Sequence, residues 1–362
     1  MKSNYTSVLL IALTFLLGAC KPEYKVSVVE TNKVNAPSLQ SFVHGFLDSE
    51  WLLFAGRTNS KTTFQGGLHD LDSNYTNTSF IPTSFNDSIY VYNVDNDVVI
   101  NSISVDEMVL RVATNFPSYD SILKANLSVF ENTNALVRQS GEFLYVVGGF
   151  GPNDIKKPTT NYITYNQVAK IHVPSLIHLA KGNFSAVKKE ILFAFGQNES
   201  LISTGGELLS INNTMYMVTG HNFGNNAPNF QKYVDAVYPF TAGPKIVNKD
   251  TIKHVLSISM GVAITDVTNP TDPIADNLSV FRRRDGPIAP AIYKSKVNGV
   301  IEQGIAIYAG VFKPGNDNNL QAWNDAIYAH PSWSNDDNKI YSYDATYNQN
   351  NYNVRKSKCC TV

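Results

Sequence analysis

The chain has 362 residues, of which 43% are hydrophobic, so it is long enough to bury a large core and is not expected to be disordered. Lys and Arg number 29 against 30 Asp and Glu, which argues against a nucleic-acid binder, since such proteins need a basic face. Only 16% of the residues are charged and 11% are aromatic. With abundant Asn, Ser and Thr, this composition favours a β-rich protein with polar loops.

Residues 1–19 predict a lipoprotein signal peptide. Lys2 supplies a positive region, residues 8–17 form an apolar run, and Leu17-Gly18-Ala19-Cys20 follows at once. The run is too short to span a bilayer and fits the apolar region of a signal peptide. The segment before Cys20 resembles the bacterial lipobox, which implies cleavage before Cys20 and attachment of fatty acids such as palmitate to that residue. An ordinary signal peptide with a chance cysteine is the alternative.

The remaining chain divides into three parts. Residues 20–37 contain two prolines and little periodicity, which is typical of a flexible tether. Residues 38–345 form the folded body, and residues 346–362 are an atypical tail. Its adjacent Cys359 and Cys360 predict no disulfide framework, because neighbouring cysteines rarely bridge each other. The last four residues have the outline of a prenylation box. Prenylation is not expected in a protein with a bacterial lipobox, so the preferred interpretation is a tail that has lost its normal continuation.

One stretch recurs through the body. In residues 141–150, five apolar or aromatic residues with β preference end at the pair Gly148-Gly149, which predicts a buried strand closed by a tight turn. Variants of this stretch end at one glycine each: Gly56, Gly220 and Gly310. A strand precedes each copy across a short turn, so a hairpin is expected every time.

In chain order, the predicted strands cover residues 39–46, 51–56, 88–94, 98–100, 135–137, 143–149, 167–173, 206–211, 215–220, 233–240, 254–260, 291–293, 305–310, 326–328 and 339–343. The first four make one antiparallel sheet. Helix is expected only at residues 174–180, because no long stretch keeps a 3.6-residue apolar rhythm.

The repeated hairpin indicates the architecture. Its glycines lie roughly 70 to 95 residues apart and a four-stranded blade needs about 40–50, so each period holds one blade and long insertions. One large β-sandwich would not explain why the same hairpin recurs with a glycine at the same end.

Strand pairs that end in Leu/Met-Tyr-Val/Met-Val-Gly-Gly and precede a Val-Tyr-Asn or Val-Tyr-Pro strand resemble kelch-type β-propeller blades. With phrases such as Leu39-Gln40-Ser41 and Phe281-Arg282-Arg283-Arg284-Asp285, the chain is similar to secreted or lipidated bacterial kelch-like proteins of unassigned activity. The resemblance covers most of residues 38–340. It implies an all-β, kelch-type β-propeller with at least four recognisable four-stranded blades. Such proteins usually close with about six blades, so insertions conceal blades or the C-terminus is incomplete.

Motifs for metal or catalytic chemistry are missing from the sequence. The seven histidines are scattered without His-Glu-x-x-His, and neither Gly-x-Ser-x-Gly nor a body cysteine supplies a nucleophile. Asp70-x-Asp72-x-Asn74 opens like a calcium loop, but Tyr75 stands where the turn glycine belongs. No metal or cofactor is predicted, and these motifs identify no catalytic residue. A redox propeller resembling galactose oxidase would need a copper-ligand set whose spacing is not found.

Arginines provide the first candidate ligand site. Arg57 follows a blade's glycine, where propeller side chains approach the central channel, and Arg283 lies in a run of three arginines before a turn. A planar guanidinium suits a carboxylate or sugar acid. Asn134 and Glu207, each just ahead of a blade's second strand, are the matching acceptors. The alternative is that these groups pair with one another and hold neighbouring blades together.

Aromatic residues in insertions rich in Asn, Ser and Thr provide the second candidate, because sugar recognition uses aromatic faces beside amides. These residues are Tyr75, Phe80, Phe85, Tyr162, Tyr165, Phe223, Phe230, Trp323 and Trp333. Loops of any all-β protein carry such residues, which leaves a structural role open.

The sequence therefore predicts a binding or scaffold module, anchored by its lipid in the outer membrane of a Gram-negative envelope on the periplasmic or surface side. Its partner is a glycan or an envelope protein. The alternative is an enzyme that acts on a sugar or sugar acid at the channel mouth, with Arg57 and Arg283 holding the anion and Glu207 as acid or base.

Overall fold

The computed structural model describes residues 35–58, 84–153, 162–224, 231–265, 279–294, 299–311, 313–314, 320–323, 325–329 and 341–344. Cys20 and the signal peptide, the tether up to residue 34, the calcium-like loop at Asp70 and the tail 346–362 lie outside these ranges. So do four of the candidate aromatics, namely Tyr75, Phe80, Phe230 and Trp333. In the part of the chain that is described, no helix is long and apolar enough to cross a bilayer.

The first predicted sheet is confirmed and is called unit 1. It contains β2 (Val43–Leu47), β3 (Glu50–Phe54), β5 (Ser88–Asn93) and β6 (Val98–Ser104), each antiparallel to the next. Two short strands, β1 (Leu39–Gln40) and β4 (Arg57–Thr58), pair beside it as a ribbon.

Unit 2 repeats this arrangement. Its sheet has the order β7 (Leu136–Ser140), β8 (Phe143–Val147), β11 (Gln167–His172) and β12 (Phe193–Gln197). Its ribbon is formed by β9 (Phe150–Pro152) and β10 (Tyr162–Thr164). The strand β12 was not predicted from the sequence.

Unit 3 has the order β13 (Glu207–Ile211), β14 (Thr214–Val218), β17 (Ala236–Val247) and β18 (Asp250–Met260), with the ribbon β15 (His221–Phe223) and β16 (Gln231–Tyr233). A short β19 (Ile264–Thr265) pairs with β17. Val255 of β18 also pairs in parallel with Phe195 of β12, so units 2 and 3 share one nine-stranded sheet.

Unit 4 has the order β20 (Ile288–Lys294), β21 (Ile301–Tyr308), β24 (Ala326–Ala329) and β25 (Tyr341–Asp344). Its ribbon is formed by β22 (Lys313–Pro314) and β23 (Leu320–Gln321). In units 2, 3 and 4 the chain forms the two-stranded ribbon between the second and third sheet strands. In unit 1 one ribbon strand, β1, precedes the first sheet strand and the other, β4, follows the second.

The glycine ends of the units share one backbone conformation. Two successive residues have positive φ in every unit: Ala55 and Gly56, Gly148 and Gly149, Thr219 and Gly220, Ala309 and Gly310. Only the second position is always glycine, with φ from 80° at Gly56 to 116° at Gly310, values that side chains disfavour. The double glycine of unit 2 is thus one version of a turn that tolerates Ala or Thr at its first position.

This turn joins each unit to the next. The backbone N–H groups of Gly56, Gly149 and Gly220 donate to the carbonyls of Asn132, Ser203 and Arg283 at 2.6, 2.9 and 2.9 Å. Each acceptor lies in the segment that leads into the following unit. The repeated glycine therefore links consecutive sheets as well as ending a strand.

Three apolar cores fill the spaces between successive units. The first includes Leu52 of unit 1 and Leu144 of unit 2, the second Val147 of unit 2 and Met217 of unit 3, and the third Val218 of unit 3 and Ile307 of unit 4. The first strands of the units are also neighbours: β2 lies near β7, β7 near β13 and β13 near β20. Sheets that pack in succession around their first strands make the fold mostly β and β-propeller-like.

The expectation of helix at residues 174–180 alone is wrong. Besides α3 (Val173–Ala180), the chain forms α1 (Val105–Asn115) and the short α2 (Asp120–Lys124). The Ser104 side chain caps α1 by accepting from the N–H of Glu107, and the apolar residues Val105, Met108 and Val112 are buried at helical spacing in the first core. The helical spacing of apolar residues in α1 covers only 11 residues and follows β6 directly, so it does not stand out in the sequence.

Candidate ligand-binding site

The ribbons bring aromatic rings from three units into one row. Neighbouring ring centroids are 6.1 Å apart for Phe85 and Tyr162, 5.8 Å for Tyr162 and Phe150, and 5.4 Å for Phe150 and Phe223. The row continues from Phe223 to His221 at 5.7 Å and from His221 to Tyr233 at 5.6 Å. We call these six residues the aromatic belt.

Backbone contacts hold the belt together. The hydroxyl of Thr164 in β10 accepts from the N–H of Phe223 and donates to its carbonyl, both at 2.8 Å. At Gly224, where φ is +101°, a Cβ would lie 2.4 Å from the Tyr162 carbonyl. A side chain there would push the two ribbons apart, so glycine permits the close approach that stacks rings of units 2 and 3.

The belt offers both apolar and polar atoms. Phe150, His221 and Tyr233 are buried, whereas Phe85, Tyr162 and Phe223 keep part of their surface in solvent. Among the described residues, the Tyr162 hydroxyl and the Asn222 side-chain oxygen find no hydrogen-bond partner. Unpaired polar atoms beside ring edges are the arrangement that a ligand with hydroxyl groups can complete.

Arginines close one end of the belt. The Arg282 guanidinium lies 4.2 Å from the centroid of the Tyr233 ring, a cation–π contact. Next to it, Arg284 Nη1 lies 3.4 Å from His221 Nε2, and Arg284 Nε lies 3.3 Å from Asp285 Oδ2. The belt therefore ends in a polar group with both signs of charge.

His221 in this group is a neutral side chain. Burial lowers its pKa to about 3, with further lowering from the Arg284 charge and a smaller opposing effect from the Thr204 carbonyl. That carbonyl lies 3.1 Å from Nδ1, so Nδ1 carries the hydrogen and Nε2 presents its lone pair to Arg284. The ring consequently acts as an aromatic and hydrogen-bonding surface at all physiological pH values.

Glu207 lies at the start of β13, near this polar group. Its side chain is accessible to solvent, but protein atoms crowd its carboxyl, so burial raises its pKa and the Asp285 carboxylate raises it further. A carboxyl that holds its proton more firmly than usual can donate a hydrogen bond or a proton.

Asn134 joins three units through its backbone. Its N–H donates to the carbonyl of Ser41 and its carbonyl accepts from Gly205 N–H, both at 3.0 Å. The Thr204 hydroxyl donates to the same carbonyl at 3.2 Å. These bonds connect the segments that lead into units 1, 2 and 3. They place Asn134 against Gly205, two residues before Glu207 in the sequence.

The two candidate arginines are both buried. Arg57 in β4 is 4% exposed, and burial lowers its pKa. Arg283 is 0% exposed. It donates from Nη1 to the Ala309 carbonyl at 2.8 Å and to Asp325 Oδ1 at 2.9 Å. The structure therefore gives Arg283 an aspartate partner within unit 4 instead of bringing it beside Glu207.

A cavity of about 480 Å³ lies in unit 2 beside β10, the strand that carries Tyr162, although no residue of the belt lines it. Thr164, Tyr165 and Gln167 line it together with Lys124 and Glu199. Tyr165 was among the candidate aromatics, but it is buried and its hydroxyl donates to the Pro152 carbonyl at 2.6 Å. It shapes the cavity wall and leaves its polar atoms unavailable.

Glu131, in the segment that leads into unit 2, is half-buried. Burial raises its pKa to about 7, with further contributions from Asp106 and Asp87. In the described part of the chain, no group of three or more His, Cys, Asp or Glu side chains is placed to hold a metal ion.

Glu131 should make the protein less stable as the pH rises. Because its pKa is higher in the folded state, Glu131 binds its proton more firmly there than in the unfolded chain. Its contribution to the free energy of unfolding is complete below the ordinary pKa of about 4.5 and is lost as the pH rises through 7. The shift sets an upper limit of about 3 kcal/mol, which solvent screening reduces because the Glu131 carboxyl is partly exposed. We expect Glu131→Gln to be more stable than wild type by up to this amount at pH 8 and by little at pH 4.5, as measured by urea unfolding. Glu199→Gln serves as the control, and equal curves for wild type and Glu131→Gln at pH 8 would contradict the expectation.

Comparisons with known proteins add little to this description. No family model matches the chain, and no curated protein is similar to it in sequence. A solved structure of a protein called YjhT aligns with a TM-score of 0.39 at 10% identity, over 84% of this chain and 70% of YjhT. That TM-score is too low to support any inference. The class of the protein therefore depends on its own geometry: a β-propeller-like protein with an aromatic belt on its ribbons.

Sequence reasoning found part of this site. Phe85, Tyr162 and Phe223 were candidates, and the structure brings all three together. The sequence analysis missed Phe150, His221 and Tyr233, because their sequence contexts are those of ordinary strand residues. Their common position in the repeat was the available signal: Phe150 and His221 each directly follow a glycine with positive φ.

Proposed function

We propose that this protein is a glycan-binding module that recognises its ligand with the aromatic belt. The observation that carries the proposal is the unbroken row of rings from Phe85 to Tyr233, which ends against Arg282. Sugar rings present apolar C–H faces and many hydroxyls, so they are recognised by aromatic faces with hydrogen-bonding groups beside them.

The polar surroundings of the belt support a ligand rich in hydroxyl groups. The Tyr162 hydroxyl and the Asn222 oxygen are buried without a partner in the described structure. The cavity of about 480 Å³ beside β10 is large enough for one or two sugar rings. At one end of the belt lie two arginines, Arg282 and Arg284, with the single aspartate Asp285. The excess of positive charge favours a glycan that carries a carboxylate.

We also propose that the fold is a kelch-type propeller held in the outer membrane by fatty acids on Cys20. The support is the lipobox-like segment before Cys20 and the repeated glycine turn. A rigid body on a lipid tether would present the belt to envelope glycans on the periplasmic or the surface side. Mass spectrometry of the mature N-terminus tests the acylation, and an unmodified Cys20 would refute it.

An enzyme that acts on a sugar or sugar acid is the second candidate. It is favoured by Glu207, whose raised pKa and proximity to Asp285 suit a general acid. Arg283 is occupied by Asp325, so Arg284 is the better candidate for holding an anion in such an enzyme.

A glycan array with the purified full-length protein tests the main proposal. We expect Tyr162→Ala and Phe223→Ala to weaken binding at least tenfold, about 1.4 kcal/mol each, because each removes one stacking surface. Phe46→Ala is the control, since Phe46 is 50% exposed on β2 and lies outside the belt. Equal losses in all three variants, or none in the first two, would remove the belt as the site. Conversion of a bound sugar that stops in Glu207→Gln would favour the enzyme.

A further inference from the structure

A second cavity, of about 400 Å³, lies far from the belt between the long hairpin of unit 3 and the sheet of unit 2. One wall comes from β8, β11, β12 and the residues just before β12, and the other from β17 and β18. Most of the lining is apolar: Phe143, Ile191, Phe193, Pro244, Ile252 and Leu256. Two of these residues, Ile191 and Ile252, are each 39% exposed.

The hairpin that covers this cavity departs from the repeat. Its strands have 12 and 11 residues and turn at Asn248-Lys249, both with positive φ. The pairing of β17 with β18 is irregular after Pro244, and His254, next to the Val255 that reaches β12, has φ +63°. An irregular strand with one residue in a costly conformation is a common feature of binding sites. The long hairpin thus supplies one side of this cavity.

One cation inside the cavity has no acidic partner. Lys170 Nζ lies 4.1 Å from the centroid of the Phe143 ring and 5.7 Å from that of Tyr145. No carboxylate of the described residues forms an ion pair with it. Burial alone lowers its pKa. A half-buried ammonium held only by ring faces gains more from an anion than an exposed lysine would.

The other charges of the cavity lie at its rim and offset each other. Lys253 Nζ and Glu190 Oε2 are 4.0 Å apart, with side chains 72% and 65% exposed. The remaining polar side chains of the lining are Thr251 and His254. The His254 ring is tilted against that of Tyr119 with centroids 3.5 Å apart, and the pKa of His254 is lowered mainly by burial. Lys170 therefore supplies the excess charge of the interior, and that charge is positive.

We propose that this cavity binds a small amphipathic anion, with the anionic group on Lys170 and the apolar body between the β17–β18 hairpin and unit 2. The volume falls in the range of ligand pockets. Apolar walls with a single half-buried cation suit a medium-chain carboxylate. They do not suit a sugar, which would need many hydrogen-bonding groups. The site is independent of the aromatic belt and of its proposed ligand.

Three amphiphiles of equal chain length test the proposal by isothermal titration calorimetry of the full-length protein: octanoate, octanol and octylamine. We expect octanoate to bind saturably, octanol at least tenfold more weakly, and octylamine not at all. Lys170→Met keeps the apolar part of the side chain and removes its charge, so it should weaken octanoate at least tenfold and leave octanol unchanged. Lys188→Met is the control, since Lys188 is exposed and pairs with Glu142 outside the cavity.

Ala194 lines the same cavity, and Ala194→Leu should reduce binding of both octanoate and octanol by filling the space. Thermal melts of each variant confirm that it is folded. Equal binding of the three amphiphiles would indicate a merely apolar surface and overturn the proposal. So would unchanged octanoate affinity in Lys170→Met, or no saturable binding by the wild-type protein.

Discussion

Replacing Asp325 with alanine is expected to lower the free energy of unfolding by about 3–5 kcal/mol. Asp325 is 2% exposed, and its Oδ1 lies 2.9 Å from Nη1 of Arg283, which is fully buried. Without the carboxylate, the guanidinium would remain in the interior beside the Val280 and Ala309 carbonyls and the Trp323 ring, whose centroid is 4.3 Å away. A buried charge that loses its counter-ion costs far more than the pair itself contributes.

Two further variants show whether the loss of stability comes from leaving the buried Arg283 charge without its aspartate. Replacing both partners by Arg283→Met and Asp325→Leu should recover a large part of the loss, because no charge then stays buried. Asp285→Ala should cost less than about 1 kcal/mol, since Asp285 is 53% exposed and its pair with Arg284 is screened by solvent. Urea unfolding measures all three. If Asp325→Ala lost little stability but no longer bound ligand, Arg283 would again be a candidate ligand-binding residue.

The strands were predictable where the chain carries local signals. Apolar runs that end at glycine located β3, β8, β14 and β21, because a buried strand and a turn with positive φ restrict the residue types on a short scale. The strand β12 and the helix α1 were missed for a physical reason. Each is stabilised chiefly by the core between units 1 and 2, so its sequence carries only a weak pattern of its own.

The candidate site was harder to predict because its members are far apart in the chain. The rings of Phe85 and Tyr233 belong to one row, although nearly 150 residues separate them. Their meeting depends on the succession of units and on ribbon contacts such as that of Thr164 with Phe223. Composition can indicate aromatic residues in loops, but only the arrangement of the sheets decides which of them touch.

The run of three arginines illustrates the same limit. All three side chains have the same chemistry, yet Arg282 stacks on Tyr233, Arg283 pairs with Asp325 in the interior, and Arg284 faces His221. Successive residues of an extended chain point in different directions, so a run of like residues is divided among different environments. The sequence predicted that arginines matter here but had no means to distinguish the structural one from the accessible ones.

Replacing Gly220 with alanine is expected to destabilise the protein by roughly 4 kcal/mol. Its φ is +90°, and a Cβ there would lie 2.4 Å from Ser203 Oγ and 2.8 Å from the backbone nitrogen of Gly206. Strain of the backbone at this φ contributes about 1–3 kcal/mol, and the overlap with buried neighbours a similar amount. The Gly220 N–H also donates to Arg283 and its carbonyl accepts from Val234, so relaxation would disturb the link between units 3 and 4.

The preceding residue provides a matched control. Thr219 also has positive φ, is fully buried, and its hydroxyl has no hydrogen-bond partner among the described residues. Thr219→Ala gives this position the residue that Ala55 and Ala309 supply in units 1 and 4, so we expect a change within about 1 kcal/mol. Urea unfolding of both variants makes the comparison. If alanine were tolerated equally at the two positions, the second residue of the turn would not require glycine, and the repeated turn would lose its role in fixing the succession of units.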